Sequence, residues 1–186
     1  MEGKQPEKKE LPEGALHYMV CHDGSKASID ALNTVYKGMM KDKDHLSVAN
    51  VWSIEKEEYL KYDLKHQYIK ETTEAHCSGI GKRYTWYDHE MQQGDSAKSL
   101  LLEMSNIHHA DLMVTGYHGR KGPKEDPTVM GTAVQHMSVY ATKPICIIKD
   151  PHERETRPNG YRYAVCIDGS EQSLKALAFA AKLKSK

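Results

Sequence analysis

A short sequence that is typical of a strand, a turn and the start of a helix occurs twice in this chain, and it constrains the fold more than any other feature. Residues 20–32 read VCHDGSKASIDAL, and residues 165–177, which lie 145 positions later, read VCIDGSEQSLKAL. Eight of the thirteen positions are identical. Self-similarity at a fixed offset indicates repeated structural units, although two unrelated strand–helix units can share common turn residues.

The two copies predict two domain starts. Residues 15–150 are enough for one complete domain with its own core. A flexible tail rich in Lys and Glu, residues 1–14, precedes that domain, and a polar linker with two prolines, residues 151–160, follows it. Because residues 161–186 are too few for a second domain of the same size, we expect them to form a partial second repeat, its first strand and helix.

Charge, hydropathy and cysteine spacing argue against several classes of protein. Lys plus Arg is 26 and Asp plus Glu is 26, so no net charge draws the chain to nucleic acid or to an anionic membrane. We expect no membrane span and no signal peptide, since no sufficiently long apolar run is present. The cysteines lack zinc-site spacing and favour buried, reduced thiols in a cytoplasmic protein: Cys21, Cys77, Cys146 and Cys166.

Apolar runs alternate with helical patterns through the first domain. Strands are expected at residues 16–21, 45–52, 82–88, 111–115 and 144–149, and helices at 25–39, 57–80, 96–107 and 131–141. Runs such as DLMVT and PICII lack polar alternation, as expected when helices cover both faces of a parallel sheet. Right-handed crossovers then predict an α/β, Rossmann-like three-layer sandwich with a five-stranded parallel sheet. Its ligands bind at the carboxyl ends of the strands, where the strand order reverses.

Two turns are expected at that edge of the sheet. Asp23 begins the turn after the first strand, and a glycine-bearing loop runs from Gly116 to Gly131 after the fourth. Free backbone N–H groups and the positive end of a helix dipole suit a phosphate, and Thr132 adds a hydroxyl donor. His118 lies in this loop, where it can contact a phosphate or cap the loop. Asp23 can equally form an Asx turn, and many glycine-rich loops are only turns.

These segments resemble the universal stress protein family. Residues 110–149 read ADLMVTGYHGRKGPKEDPTVMGTAVQHMSVYATKPICIIK, which is similar to the family's aspartate-led strand, G-x-x-G pair, Gly-Ser or Gly-Thr, helix and last strand. Residues 20–32 resemble its first strand and turn. The likeness covers residues 15–150 and is weaker in the middle third. It implies an adenine nucleotide alpha hydrolase-like fold and a nucleotide-dependent switch.

The resemblance also implies a ligand and its site. The family's ATP-binding members hold ATP, with or without Mg²⁺, and their phosphate-binding positions correspond to Gly116, Gly119, Gly131 and Thr132. Asp23 would lie at the nucleoside, and the backbone at Val51, near the end of the second strand, would meet the base. The family's last strand commonly pairs with that of another domain, which implies a homodimer or tandem-domain pairing.

The loop departs from the family pattern. Eleven residues separate Gly119 from Gly131, whereas ATP-binding members usually have nine. Its two prolines remove N–H donors and stiffen it, and its charges include both signs: Arg120, Lys121, Pro123, Lys124, Glu125, Asp126 and Pro127. The alternative is a family member without a nucleotide that acts through dimerisation or partner interaction. No Walker loop or catalytic constellation is evident, so we expect at most slow ATP hydrolysis.

Overall fold

Five parallel strands form the centre of the first domain. The computed structural model describes residues 11–79, 84–120, 128–149 and 163–184. The strands are β1 His17–Cys21, β2 His45–Trp52, β3 Tyr84–Glu90, β4 Leu112–Gly116 and β5 Ile145–Ile148. The helices are α1 Lys26–Thr34, which continues as a π-helical turn Val35–Met39, α2 Ile54–Glu57, α3 His66–Gly79, α4 Ala97–Ile107, α5 Thr132–Tyr140 and α6 Glu171–Lys184.

The strand order is β3-β2-β1-β4-β5, and every pair is parallel. The predicted α/β fold with a five-stranded parallel sheet is therefore confirmed. The order reverses between β1 and β4, so the loops after these two strands diverge to opposite faces of the sheet. That divergence opens a crevice at their carboxyl ends.

Helices cover both faces of the sheet, which explains the apolar strands. Every residue of β1 and β4 is buried, whereas β3 and β5 at the edges are partly exposed. Met104 of α4 and Val134 and Met137 of α5 pack on one face. Right-handed crossovers place α1 and α3 on the other face. Among the described helices, none is long and apolar enough to cross a membrane.

The turn after β1 forms as its sequence predicts. Ser25 caps α1, because its hydroxyl accepts the backbone N–H of Ser28 at 3.2 Å. Gly24 has a φ of +80°, a conformation that side chains with a Cβ rarely adopt. Ile29 of α1 is apolar but 44% exposed. The buried side of α1 includes Leu32, and the π-helical turn after it buries Val35.

The long helix predicted over residues 57–80 is shorter in the structure. The structure has the short helix α2, a 3₁₀ turn Tyr62–Leu64, and then α3, which begins only at His66. The Glu57 carboxylate accepts the backbone N–H of His66 at 2.6 Å, so a residue nine positions away caps the start of α3. Ile80 and Gly81 lie outside the described residues.

The second compact unit, Asp150–Lys186, contains the repeated turn. Gly169 has a φ of +85°, and the Asp168 carboxylate accepts the Ser170 N–H at 2.9 Å. Ser170 then accepts the Ser173 N–H at 3.2 Å, as Ser25 does with Ser28 in the first copy. The repeat is thus reproduced in backbone geometry as well as in sequence, and α6 follows it.

The strand that the sequence predicts before this turn is not observed in the described residues. Residues 163–168 are described and form no strand. A β-strand needs a neighbouring strand for its backbone hydrogen bonds, and the described part of this unit has none to offer. Residues 1–10 of the predicted tail and the predicted linker 151–160 lie outside the described residues, so both stay predictions.

Candidate functional site

Asp23 joins the two predicted turns at the carboxyl edge of the sheet. Its Oδ1 accepts the backbone N–H of Ser25 at 3.0 Å, and its Oδ2 accepts the backbone N–H of Arg120 at 2.9 Å. A Cβ on Gly119 would lie only 2.9 Å from the same Oδ2. The structure therefore brings Asp23 and the glycine loop into direct contact, as the sequence predicted.

The carboxyl group of Asp23 is ionised at neutral pH. Burial alone would raise its pKa, but hydrogen bonds from the hydroxyl and backbone of Ser25 and from the backbone of Arg120 outweigh burial and lower the pKa below its usual value. Asp23 thus places a fixed negative charge beside the loop. Such a group accepts hydrogen bonds from hydroxyls and repels phosphate oxygens.

Glycine is required where β4 meets the first turn of α1. A Cβ on Gly116 would lie 2.5 Å from the backbone carbonyl carbon and oxygen of Ala27. Backbone atoms cannot rotate away as a side chain does, so only the absence of a side chain lets β4 and α1 approach this closely. This contact fixes where the loop after β4 begins.

The loop returns to its own start at the beginning of α5. The backbone N–H of Gly131 donates to the Tyr117 carbonyl at 3.0 Å, and Gly131 is the residue that precedes the helix. A Cβ on Gly131 would lie 3.5 Å from the His118 Cα and 3.6 Å from the Gly119 nitrogen. Thr132 is the first residue of α5. The N-terminus of α5 therefore faces the G-x-x-G element. Residues 121–127, which carry every predicted loop charge except Arg120, lie outside the described residues.

One cavity of about 560 Å³ occupies this crevice. Its volume is within the range of about 300–1,000 Å³ that small-molecule sites have. All seven residues predicted from the sequence line it: Asp23, Val51, Gly116, His118, Gly119, Gly131 and Thr132. The structure thus brings together residues from the ends of three strands and from the start of one helix. Their role in binding stays a prediction.

Sequence reasoning missed a further wall of the cavity, residues 53–66, which we call the β2–α3 wall. Trp52, at the end of β2, stacks on His66 with ring centroids 3.9 Å apart and an angle of 8°. The Glu57 carboxylate holds the His66 Nδ1 at 2.8 Å. Burial opposes ionisation of Glu57, but its hydrogen bonds with His66 lower its pKa overall. No local pattern signals these contacts, because each joins residues nine or more positions apart in the chain. Residues from 57 onwards had been expected to form one helix.

Asn50 ties β2 to the turn after β1. It is 1% exposed, and its Nδ2 donates to the His22 carbonyl at 2.7 Å. The His22 ring in turn lies 2.8 Å from the Ser28 hydroxyl, which connects the turn to α1. This chain of buried contacts holds the floor of the cavity in place.

Comparison with known proteins relates this architecture to one fold family. No protein-family model and no curated protein matches the chain in sequence. Universal stress protein UspA from Lactobacillus plantarum is similar in structure, with a TM-score of 0.53, 14% identity, and coverage of 72% of this chain and 97% of that one. A universal stress protein family protein from Arabidopsis thaliana with AMP bound has a TM-score of 0.52 at 13% identity, covering 78% and 99%.

A universal stress protein in complex with cAMP is also similar, with a TM-score of 0.51 at 14% identity, covering 72% of this chain and 96% of that one. At such low identity the likeness concerns the architecture. The first domain of this chain therefore has the universal stress protein fold.

Proposed function

We propose that the cavity binds ATP or a related adenine nucleotide, and that the protein is a stress-response switch whose state depends on that nucleotide. One observation carries this proposal. The G-x-x-G element, the N-terminus of α5 and the ionised Asp23 converge on one cavity of about 560 Å³. This arrangement provides an anion-receptive side and a hydroxyl-receptive side within a single crevice.

The phosphates would lie at the start of α5. A helix N-terminus has unpaired backbone N–H groups and the positive end of the helix dipole. Thr132 begins this terminus after the cap residue Gly131, whose own N–H is already bonded to the Tyr117 carbonyl, and Gly119 lies beside it without a side chain. The Thr132 hydroxyl adds a donor. These groups can bind a phosphate through hydrogen bonds and the helix dipole, so the site does not need a lysine or arginine side chain for that purpose.

The nucleoside would lie towards β1 and β2. Asp23 repels phosphates but accepts a hydrogen bond from a ribose hydroxyl. The Ala49 carbonyl accepts the His22 N–H at 2.9 Å, so the backbone polar groups of Ala49 point towards β1. Those of Val51, two residues later, point to the same side, beyond the last paired residue of β1, Cys21. This orientation supports the proposal that they meet the polar edge of a base.

The structural neighbours support the class of ligand. One of them has AMP bound and another is a complex with cAMP. Both ligands contain adenine, ribose and a single phosphate group. We therefore include mononucleotides beside ATP, with and without Mg²⁺, in the test of this proposal.

Calorimetry with AMP, cAMP, ATP and adenosine tests the proposal directly. We expect saturable binding, and a stabilisation of about 2.7 kcal/mol when the free nucleotide is about a hundredfold above its Kd. Gly119→Ala would place a Cβ only 2.9 Å from the Asp23 Oδ2, so the carboxylate or the loop must shift, and we expect the affinity for nucleotide to fall about tenfold. Gly79→Ala is the matched control, because its new Cβ meets no atom within 4 Å.

Two results would contradict the proposal. One is the absence of binding and of thermal stabilisation with every adenine nucleotide, with or without Mg²⁺. The other is equal nucleotide affinity of the Gly119→Ala variant and the wild-type protein, which would place the ligand elsewhere.

A second candidate function, dimerisation or partner interaction without a nucleotide, is favoured by β5. This strand, with the sequence ICII, ends the sheet and is only partly buried. An apolar edge strand is prone to pair with a strand of another chain. Light scattering at several concentrations tests this candidate, and a strict monomer would argue against it.

A further inference from the structure

Arg120, which directly follows the glycine loop, joins three parts of the chain around the cavity. Its backbone N–H donates to Asp23 Oδ2 at 2.9 Å, and its guanidinium Nη1 donates to the Leu64 carbonyl oxygen, also at 2.9 Å. Leu64 ends the 3₁₀ turn within the β2–α3 wall. All three residues line the cavity. Arg120 therefore fastens the glycine loop to the β2–α3 wall.

The Leu64 carbonyl is a replaceable partner for this guanidinium. A carbonyl oxygen is neutral, whereas a phosphate carries charge and presents two oxygens to the planar fork of an arginine side chain. Because Arg120 adjoins Gly119 in sequence, a phosphate at the glycine loop lies close to the Arg120 backbone. Coulomb attraction then favours the phosphate over the carbonyl as the acceptor.

The geometry points to a competition in which the phosphate of a bound nucleotide draws the Arg120 guanidinium away from the Leu64 carbonyl and so loosens the β2–α3 wall. This inference rests on the proposed nucleotide function. It assigns to Arg120 the coupling between the occupied site and a distinct surface segment, a role that none of the seven site residues has.

The wall is built so that such a change stays local and reaches the surface. Its ends are held independently of Arg120, by the Trp52–His66 stack and by the bonds between Glu57 and His66. Between them the wall carries two of the most exposed aromatic side chains, Tyr59 at 87% and Tyr62 at 70%. Loosening of residues 57–64 would therefore alter an exposed surface of the protein.

Hydrogen exchange with two matched ligands isolates the effect of the phosphate. Adenosine and AMP both place a base and ribose in the cavity, so protection caused by occupancy is common to both, and only AMP brings a phosphate to Arg120. At saturation verified by calorimetry, we expect the amides of residues 57–64 to exchange about fivefold faster with AMP than with adenosine, the effect of losing one hydrogen bond. Unliganded protein is the second reference.

Two variants complete the experiment. Arg120→Ala removes the contact with Leu64, so we expect fast exchange of residues 57–64 with either ligand and no difference between them. Lys98→Ala removes another cation that lines the cavity and for which no bond to the wall is observed among the described residues. In that variant the AMP–adenosine difference should persist, even if the affinity falls.

The outcomes separate this inference from the proposal on which it rests. Equal exchange with AMP and adenosine in the wild-type protein, or a difference that survives Arg120→Ala, overturns the competition while nucleotide binding stands. If AMP does not bind but ATP does, ATP takes the place of AMP in the comparison with adenosine. Failure of every adenine nucleotide to bind in calorimetry overturns both.

Discussion

Replacing Gly116 by alanine tests whether the approach of β4 to α1 is as close as the structure indicates. The new Cβ would lie 2.5 Å from the carbonyl carbon and oxygen of Ala27 and 2.7 Å from its Cβ. Ordinary contacts between such atoms are about 3.5–4.0 Å, so the strand and the helix must separate by about 1 Å. Because the obstructing atoms include backbone, no change of rotamer relieves the overlap.

The expected loss of stability can be worked out from the packing between β4 and α1 that this separation disrupts. A gap of about 1 Å forfeits up to about half of the dispersion energy at the contact between β4 and α1. Overpacking of this kind costs about 2–3 kcal/mol of the free energy of unfolding. At a urea m-value of about 2 kcal/mol per M, the midpoint of unfolding should fall by about 1–1.5 M.

Urea denaturation followed by circular dichroism measures this shift, with Gly79→Ala as the matched control. Gly79 ends α3, and a Cβ there meets nothing within 4 Å. The control should be neutral or more stable by up to about 1 kcal/mol, since alanine favours helix over glycine. A Gly116→Ala midpoint within about 0.2 M of wild type would refute the close approach and the crevice built on it.

Two further predictions concern the turn after β1. Ser25→Ala removes the cap of α1 and should lower the free energy of unfolding by about 1 kcal/mol, whereas Ser25→Asn, which can still cap, should restore most of it; equal denaturation midpoints for the two variants would contradict the capping contact. Burial lowers the pKa of His22 to about 4, an effect that the nearby Asp23 only partly offsets. Because the unfolded chain takes up that proton near pH 6.5 and the folded protein does not, stability should be lost as the pH falls from about 6.5 towards 4. His22→Asn should flatten that part of a melting-temperature profile against pH, and an unchanged slope would show that His22 is not the buried base.

Much of the fold was predictable because its signals are local. Apolar runs without alternation indicated strands covered on both faces, and the turn residues Asp23, Gly24 and Ser25 indicated the start of α1. Since all strands of a parallel sheet point the same way, the turns after β1 and β4 had to lie at one edge. The predicted contact between Asp23 and the glycine loop follows from that topology, and the structure has it.

The errors arise where distant residues decide local structure. The start of α3 at His66 depends on the Glu57 carboxylate, and a helical composition before it was overridden by that cap. Residues 163–168 have the sequence of a buried strand, yet without a paired neighbour in their unit they form none. In both segments the intrinsic propensity of the residues for helix or strand is weak, and the presence or absence of particular hydrogen-bond partners outweighs it.

The sequence by itself determined the order of strands and helices, the repeated turn and the set of residues at the carboxyl edge, since periodicity and turn chemistry act over a few neighbouring positions. Only the tertiary structure decided that Arg120 reaches Leu64, that Trp52 stacks on His66, and that these contacts wall the cavity. Such contacts join residues far apart in the chain, and their partners are set by how the loops pack, which no local pattern encodes.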